Sequence, residues 1–156
     1  KKNMIYNHEL KLNSSNYLQI NKNLIPTGIF KNIKKSIYDF SNFENIGKKL
    51  DYFKNKKLNT RFKGFDTTFS VKKNIRNYVG TLKNNNTNIQ VDFFSNLPGV
   101  QLYSAQNLNY KKKLFPYQGI CLETQYFPDA PNKKNFPSTL IKPNKRYTCF
   151  TKIKIN

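Results

Sequence analysis

Gly119-Ile120-Cys121-Leu122-Glu123-Thr124-Gln125-Tyr126-Phe127-Pro128-Asp129-Ala130-Pro131-Asn132 is the stretch from which the rest of the chain can be read. Its first half has the two-residue period of a β-strand. Cys121, Glu123 and Gln125 share one face, while Ile120, Leu122 and Thr124 face the other way. Its second half can continue neither as a central strand nor as a helix. Pro128 and Pro131, followed by Pro137 and Pro143, remove backbone donors and fix φ, so a long ordered loop is expected after Glu123. Asp129, between two prolines, is expected to bond nearby backbone amides and hold that loop.

Outward from this stretch the pattern stays mostly β. His8 to Asn13 alternates, with Leu10 and Leu12 on one side and Glu9 and Lys11 on the other. Asn88 to Ser95 alternates through Ile89, Val91 and Phe93, and a Pro98-Gly99 turn leads into Val100-Gln101-Leu102-Tyr103. Asn84-Asn85-Asn86 reads as a hairpin loop between Tyr78–Leu82 and Asn88–Phe94. The tail alternates for longest. Tyr147, Cys149, Thr151, Ile153 and Ile155 fall on one face, which predicts a strand with one side toward a core and one toward water. Only one stretch reads as helical. Ser41 and Glu44 have capping-box spacing, and Phe43, Ile46, Leu50 and Phe53 recur at three- to four-residue steps, with Gly47 arguing for a short helix or irregular turns.

The 156 residues suffice for one domain with a hydrophobic core. Hydrophobic residues make up only 37%, but thirteen Phe and ten Tyr supply apolar bulk, so a folded domain is expected despite a formal charge of +20. That charge and a pI near 10.0 raise a nucleic-acid reading. The arginines are only Arg61, Arg76 and Arg146, whereas sequence-specific binders lean on the bidentate guanidinium. The lysines are scattered, with no run longer than Lys111-Lys112-Lys113, and they accompany abundant Asn, Ile, Tyr and Phe, the usage of an AT-rich genome. No specific nucleic-acid partner is therefore expected, only non-specific polyanion affinity at low salt.

No apolar run approaches the about 20 residues of a membrane span, and no membrane partner is expected. Cys121 and Cys149 have no metal spacing and read as two buried free thiols in a reducing cytoplasm. There is no P-loop, no GxGxxG and no CxxC, so neither a metal nor a cofactor is expected. The one histidine, His8, lies in an alternating strand and reads as structural.

The segment Gly119–Asn132 is similar to the signature of the aldose 1-epimerase (galactose mutarotase) family, in which a strand delivers a Glu and leaves through a Pro-Asp-Ala-x-Asn loop. Other matches fall in the family's order. Ile5-Tyr6-Asn7-His8-Glu9-Leu10 resembles the strand after the family's N-H-x-Y-F-N-L motif, and Ile25-Pro26-Thr27-Gly28 resembles its iPtG turn. Tyr38-Asp39-Phe40 resembles an f-D-F segment, Gly64-Phe65-Asp66 the G-Y-D-H motif, and Val100-Gln101-Leu102-Tyr103-Ser104 a v-Q-f-Y-t strand. The resemblance covers residues 1–156 but only the C-terminal half of the family's domain. It implies an all-β fold, part of a large antiparallel β-sandwich (the galactose mutarotase-like supersandwich), with at most one short helix.

It also implies a chemistry. Mutarotation interconverts the α and β anomers of D-galactose or D-glucose by opening the hemiacetal ring. A base takes the anomeric hydroxyl proton and an acid protonates the ring oxygen. By the resemblance Glu123 is the catalytic base, and Asp66 and Gln101 bind sugar hydroxyls; a carboxylate that accepts and an amide that donates and accepts both suit a pyranose. Enclosure among apolar neighbours is what would poise Glu123 for proton transfer. The family's acid is a His that would precede Lys1, the His after the G-Y-D motif is Thr67 here, and His8 does not match the catalytic one. Two expectations follow: a complementing N-terminal half, on a longer chain or a separate polypeptide, or a decaying gene product. The readings are thus an epimerase of a monosaccharide, incomplete in this chain; a carbohydrate-binding remnant without turnover; and a basic nucleic-acid-binding protein.

Overall fold

The structure is a computed structural model that describes residues 4–55, 63–111 and 113–156. Arg61, Lys112 and residues 1–3, named above, lie outside the described residues. The described residues form ten strands: β1 (His8–Leu12), β2 (Ser14–Ile20), β3 (Pro26–Asn32), β4 (Glu44–Asn45), β5 (Asp66–Val71), β6 (Tyr78–Asn84), β7 (Ile89–Ser95), β8 (Gly99–Tyr103), β9 (Cys121–Gln125) and β10 (Thr151–Ile155). They pair antiparallel into two five-stranded sheets, β10-β7-β6-β1-β4 and β3-β2-β5-β8-β9.

Leu10 and Leu12 of the first sheet and Phe69, Val100 and Leu102 of the second, all 0–2% exposed, belong to one continuous apolar cluster. The two sheets therefore share a core, as the expected sandwich requires. Aromatic rings fill much of it: Phe40 packs edge-on to Phe65 at 5.3 Å and to Phe69 at 6.1 Å. Edge-to-face contacts of this kind bring the positive rim of one ring to the negative face of the next.

The helical stretch forms α1 (Ile46–Asn55), with Ile46, Leu50 and Phe53 turned into the core. Its start differs from the capping-box reading. Glu44 and Asn45 pair with β1, the Ser41 hydroxyl donates to Asp39 Oδ1, and Phe43 stays exposed. Asn45 is the cap, its Oδ1 accepting the Lys48 N–H at 2.9 Å. Gly47, read as a weakness, is required: a Cβ there would meet the Tyr6 carbonyl oxygen at 2.5 Å. The helix gives up propensity at one position so that the chain before β1 can lie against it.

The tail departs from its expectation too. Only Thr151–Ile155 forms a strand, and both of its faces are exposed, Ile153 at 57% and Ile155 at 72%. β7 supplies hydrogen bonds along one edge of β10, but nothing among the described residues covers its apolar side. Cys121 and Cys149 are free, as read, yet neither is buried: Cys121 is half-buried and Cys149 exposed. Cys121 lies on the outer face of the second sheet and Cys149 on the exposed tail, so neither position reaches the core.

Candidate active site

Strand register decides what meets on the outer face of the second sheet. β5 pairs with β8 so that Asp66 stands opposite Tyr103 and Thr68 opposite Gln101. β8 pairs with β9 so that Gln101 stands opposite Glu123 and Tyr103 opposite Cys121. Side chains alternate along each strand, so these six share one face, and Phe69, Val100, Leu102 and Leu122 point to the core. Neighbouring strands lie about 4.8 Å apart, which sets the strands of Asp66 and Glu123 about 10 Å apart with Gln101 between them.

This face is the floor of a groove of about 450 Å³. Asp66, Thr68, Gln101, Tyr103, Glu123 and Gln125 make its polar surface, and Ile20, Leu24, Pro26 and Pro128 form an apolar shoulder. The three residues singled out from the sequence thus come together, in the size range of small-molecule sites. The lining includes two carboxylates and, among the described residues, no lysine or arginine. Reading the sequence did not find Thr68, Tyr103 or Gln125. Each sits two residues from a recognised residue along the same strand, and that period was the available signal.

Each element of the floor has a local cause. Gly64 lets the start of β5 approach the loop after β8; a Cβ there would collide with Ser104 Oγ. Ser104 is fully buried, accepts the Phe65 N–H at 2.8 Å and donates to Gln106 Oε1 at 2.8 Å. Phe65 is thereby held with its ring buried against Phe40 and Phe53, and the next residue, Asp66, emerges on the groove side. The groove's shoulder is built by the β2–β3 hairpin, which carries Ile20, Leu24 and Pro26, and by the proline loop, which adds Pro128. Phe127, Phe136 and Leu18 form a second small apolar cluster with Ala130, and Phe30 packs on both rings at 5.5 and 5.6 Å. Asn135 Nδ2 donates to the Gly28 carbonyl at 2.7 Å, tying the loop to the β2–β3 hairpin that carries Pro26.

Asp129 does hold the loop, but not through backbone amides. It adopts a left-handed conformation (φ 61°), accepts from Asn132 Nδ2 at 2.5 Å and pairs with Lys133 at 2.8 Å. The Asn132 bond and then the Lys133 ammonium hold its carboxyl below the usual aspartate range. At the floor, Gln101 Nε2 donates to Asp66 Oδ1 at 2.7 Å, and Thr68 Oγ1 donates to Gln101 Oε1. The Glu123 side chain is exposed, and its carboxylate makes no hydrogen bond or ion pair among the described residues. The apolar enclosure expected around it is therefore not supplied by this sheet. Burial pushes the Cys121 thiol up from its ordinary range, and the neighbouring Glu123 carboxylate adds to the effect. His8 is on the other sheet, its Nδ1 3.3 Å from the Ile5 carbonyl oxygen and its Nε2 3.3 Å from Asn84 Nδ2.

The family model for aldose 1-epimerase matches residues 1–154. The chain belongs to the aldose 1-epimerase family. Relatives include galactose mutarotase of Rattus norvegicus, 28% identical over 97% of this chain and 44% of the relative, and galactose mutarotase of Homo sapiens, 29% identical over 92% and 42%. Among solved structures, an aldose epimerase homologue from C. elegans superposes with a TM-score of 0.80 at 18% identity, covering 99% of this chain and 46% of that one. Galactose 1-epimerase from Lactobacillus acidophilus gives a TM-score of 0.73 at 19% identity, covering 98% and 45%. These likenesses show that the two sheets have the galactose mutarotase fold. The chain spans less than half the length of the relatives it matches.

Proposed function

We propose that the groove on the second sheet is the base-bearing half of an aldose 1-epimerase site, with Glu123 as general base and Asp66 and Gln101 as contacts to sugar hydroxyls. The observation that carries this reading is the register of β5, β8 and β9, which brings all three onto one groove floor in a chain of this family. A D-galactose or D-glucose ring lying across Gln101 would put its anomeric end at Glu123 and its far hydroxyls at Asp66. Glu123 would take the proton of the anomeric hydroxyl as the bond from the anomeric carbon to the ring oxygen breaks. A donor would protonate the ring oxygen, the aldehyde would rotate, and the reverse transfers would close the other anomer.

That donor is not His8, which the fold puts on the opposite sheet, and His8 is the sequence's one histidine. In this reading it comes from chain outside these 156 residues, which would also cover Glu123. A reducing cytoplasmic setting suits the two free thiols. The carbohydrate-binding reading without turnover shares the same floor and differs only in that donor. The lining, acidic and without a cation among the described residues, argues against nucleic acid in this groove.

The test is a sugar titration followed by NMR. Galactose is expected to shift signals of Asp66, Gln101 and Glu123, and Asp66→Ala to abolish the shifts; no shifts at tens of millimolar sugar would overturn the reading. Polarimetry of freshly dissolved α-D-galactose with this chain alone is expected to follow the buffer rate. Acceleration would mean that the donor lies within these residues.

A further inference from the structure

Gln101 is held at both ends by one strand. Asp66 Oδ1 accepts from Gln101 Nε2 at 2.7 Å, and an ionised carboxylate can only accept, so the amide nitrogen must face it. The amide oxygen is thereby turned the other way, onto Thr68 Oγ1, which must donate. The flipped amide would set oxygen against carboxylate. Thr68 stands directly opposite Gln101 in the ladder and is only 6% exposed, so water competes little for its hydroxyl. With both anchors made, the second Nε2 hydrogen and the second Oε1 lone pair remain for a ligand. Asp66 Oδ2 has no partner among the described residues.

We propose that Thr68 is a positioning residue: its buried hydroxyl fixes the Gln101 amide so that the groove presents a set pattern of donor and acceptors to neighbouring hydroxyls of a sugar ring. This rests on the reading of the groove as a monosaccharide site. Thr68 touches no substrate itself. It acts by removing the rotation that Gln101 would otherwise lose on binding, which is a preorganisation effect.

The test uses the isotope-labelled chain, with the Gln101 side-chain amide signals assigned by their loss in Gln101→Glu. In the wild type this amide is expected to exchange with solvent more slowly than that of exposed Asn107. Equal rates would mean that no anchor exists and would overturn the proposal without any variant. Thr68→Val, close in shape but lacking the hydroxyl, is expected to speed that exchange and weaken galactose binding about fivefold to tenfold. Thr68→Ser keeps the hydroxyl and is expected to restore both. Unchanged amide exchange in Thr68→Val, or loss of anchoring in a folded Thr68→Ser, would overturn the positioning role. If the wild type shows no galactose shifts, the sugar reading fails while the exchange rates still decide whether Thr68 anchors the amide.

Discussion

At position 123 a carboxylate stands exposed on a strand face with no ion pair among the described residues, while Asp66, two strands away, is bound to Gln101. The two acids should therefore differ in what they do for a ligand. Glu123→Gln keeps size and shape and is expected to leave galactose binding within about threefold, whereas Asp66→Ala removes an anchored acceptor and should abolish it. Dissociation constants from NMR titration compare them; a Glu123→Gln loss as large as that of Asp66→Ala would make Glu123 a binding group rather than a base. His8 offers a second test. Burial lowers its pKa, and Asn84 Nδ2 donates to Nε2 at 3.3 Å, which an imidazolium could not accept. A histidine with a lowered folded pKa binds its proton more readily when unfolded, so its contribution is present above about pH 6.5 and is lost as pH falls through the folded value. The His8 ring signals should titrate with a midpoint below that of a free imidazole, and His8→Gln should reduce the acid-side loss of stability. Asp66, Gln101 and Glu123 were legible because each belongs to a recognisable run of residues. Thr68 was not, because a polar residue on an alternating strand looks solvent-facing until the register of three distant strands is known; Tyr103 shares the run of Gln101, but its place on the groove floor follows only from that register.

The element that shapes the groove is β9 with its proline loop, and its seat depends on one glycine in the neighbouring strand. A Cβ at Gly99 would lie 3.0 Å from two carbons of the Phe127 ring and 3.2 Å from the Gln125 carbonyl. Phe127 is the centre of the small cluster with Leu18 and Phe136, so it cannot yield without opening the loop. Gly99→Ala is expected to cost about 1–3 kcal/mol in chemical denaturation, the range for overpacking. It should also shift the signals of Pro26 and Pro128, which line the groove. A neutral Gly99→Ala would show that the loop is held by Asn135 and Asp129 rather than by the ring. Sequence period revealed β1, β7 and β8 with bounds close to those observed: β1 and β8 each bury one face in the common core, and β7 packs Phe93 against it. β2 and β5 were hidden by their runs of Ser, Asn and Thr, whose pairing is set by neighbours and not by local pattern. The helix was visible through Ile46, Leu50 and Phe53, but its cap was misplaced because Glu44 pairs with β1 instead of entering the first turn.

For the molecule as a whole, the first sheet leaves an apolar surface open at its β10 end. Register lines up Leu10, Leu82, Val91 and Ile155 across four strands, and Phe93 with Ile153 beside them, passing from 0% exposure at Leu10 to 72% at Ile155. The outer edge of β10 pairs with no strand among the described residues, and Lys152 and Lys154 alternate with the two isoleucines. An unpaired edge beside exposed apolar side chains favours association, whereas a charge of +20 opposes it through repulsion. The balance should depend on salt. At low ionic strength the chain is expected to stay monomeric; at high ionic strength, where the Debye length falls to about 3 Å at 1 M, it should self-associate. Replacing Ile153 and Ile155 by Ser is expected to abolish that association in light scattering coupled to gel filtration. Because both side chains are mostly exposed, the double substitution should change stability by only about 0.5 kcal/mol. Salt-dependent association that persists in the double variant would place the sticky surface elsewhere, with exposed Leu140 and Ile141 of the tail the next positions to change. A large loss of stability would instead mean that β10 contributes to the core, and that its exposed face is not the open side of the sandwich.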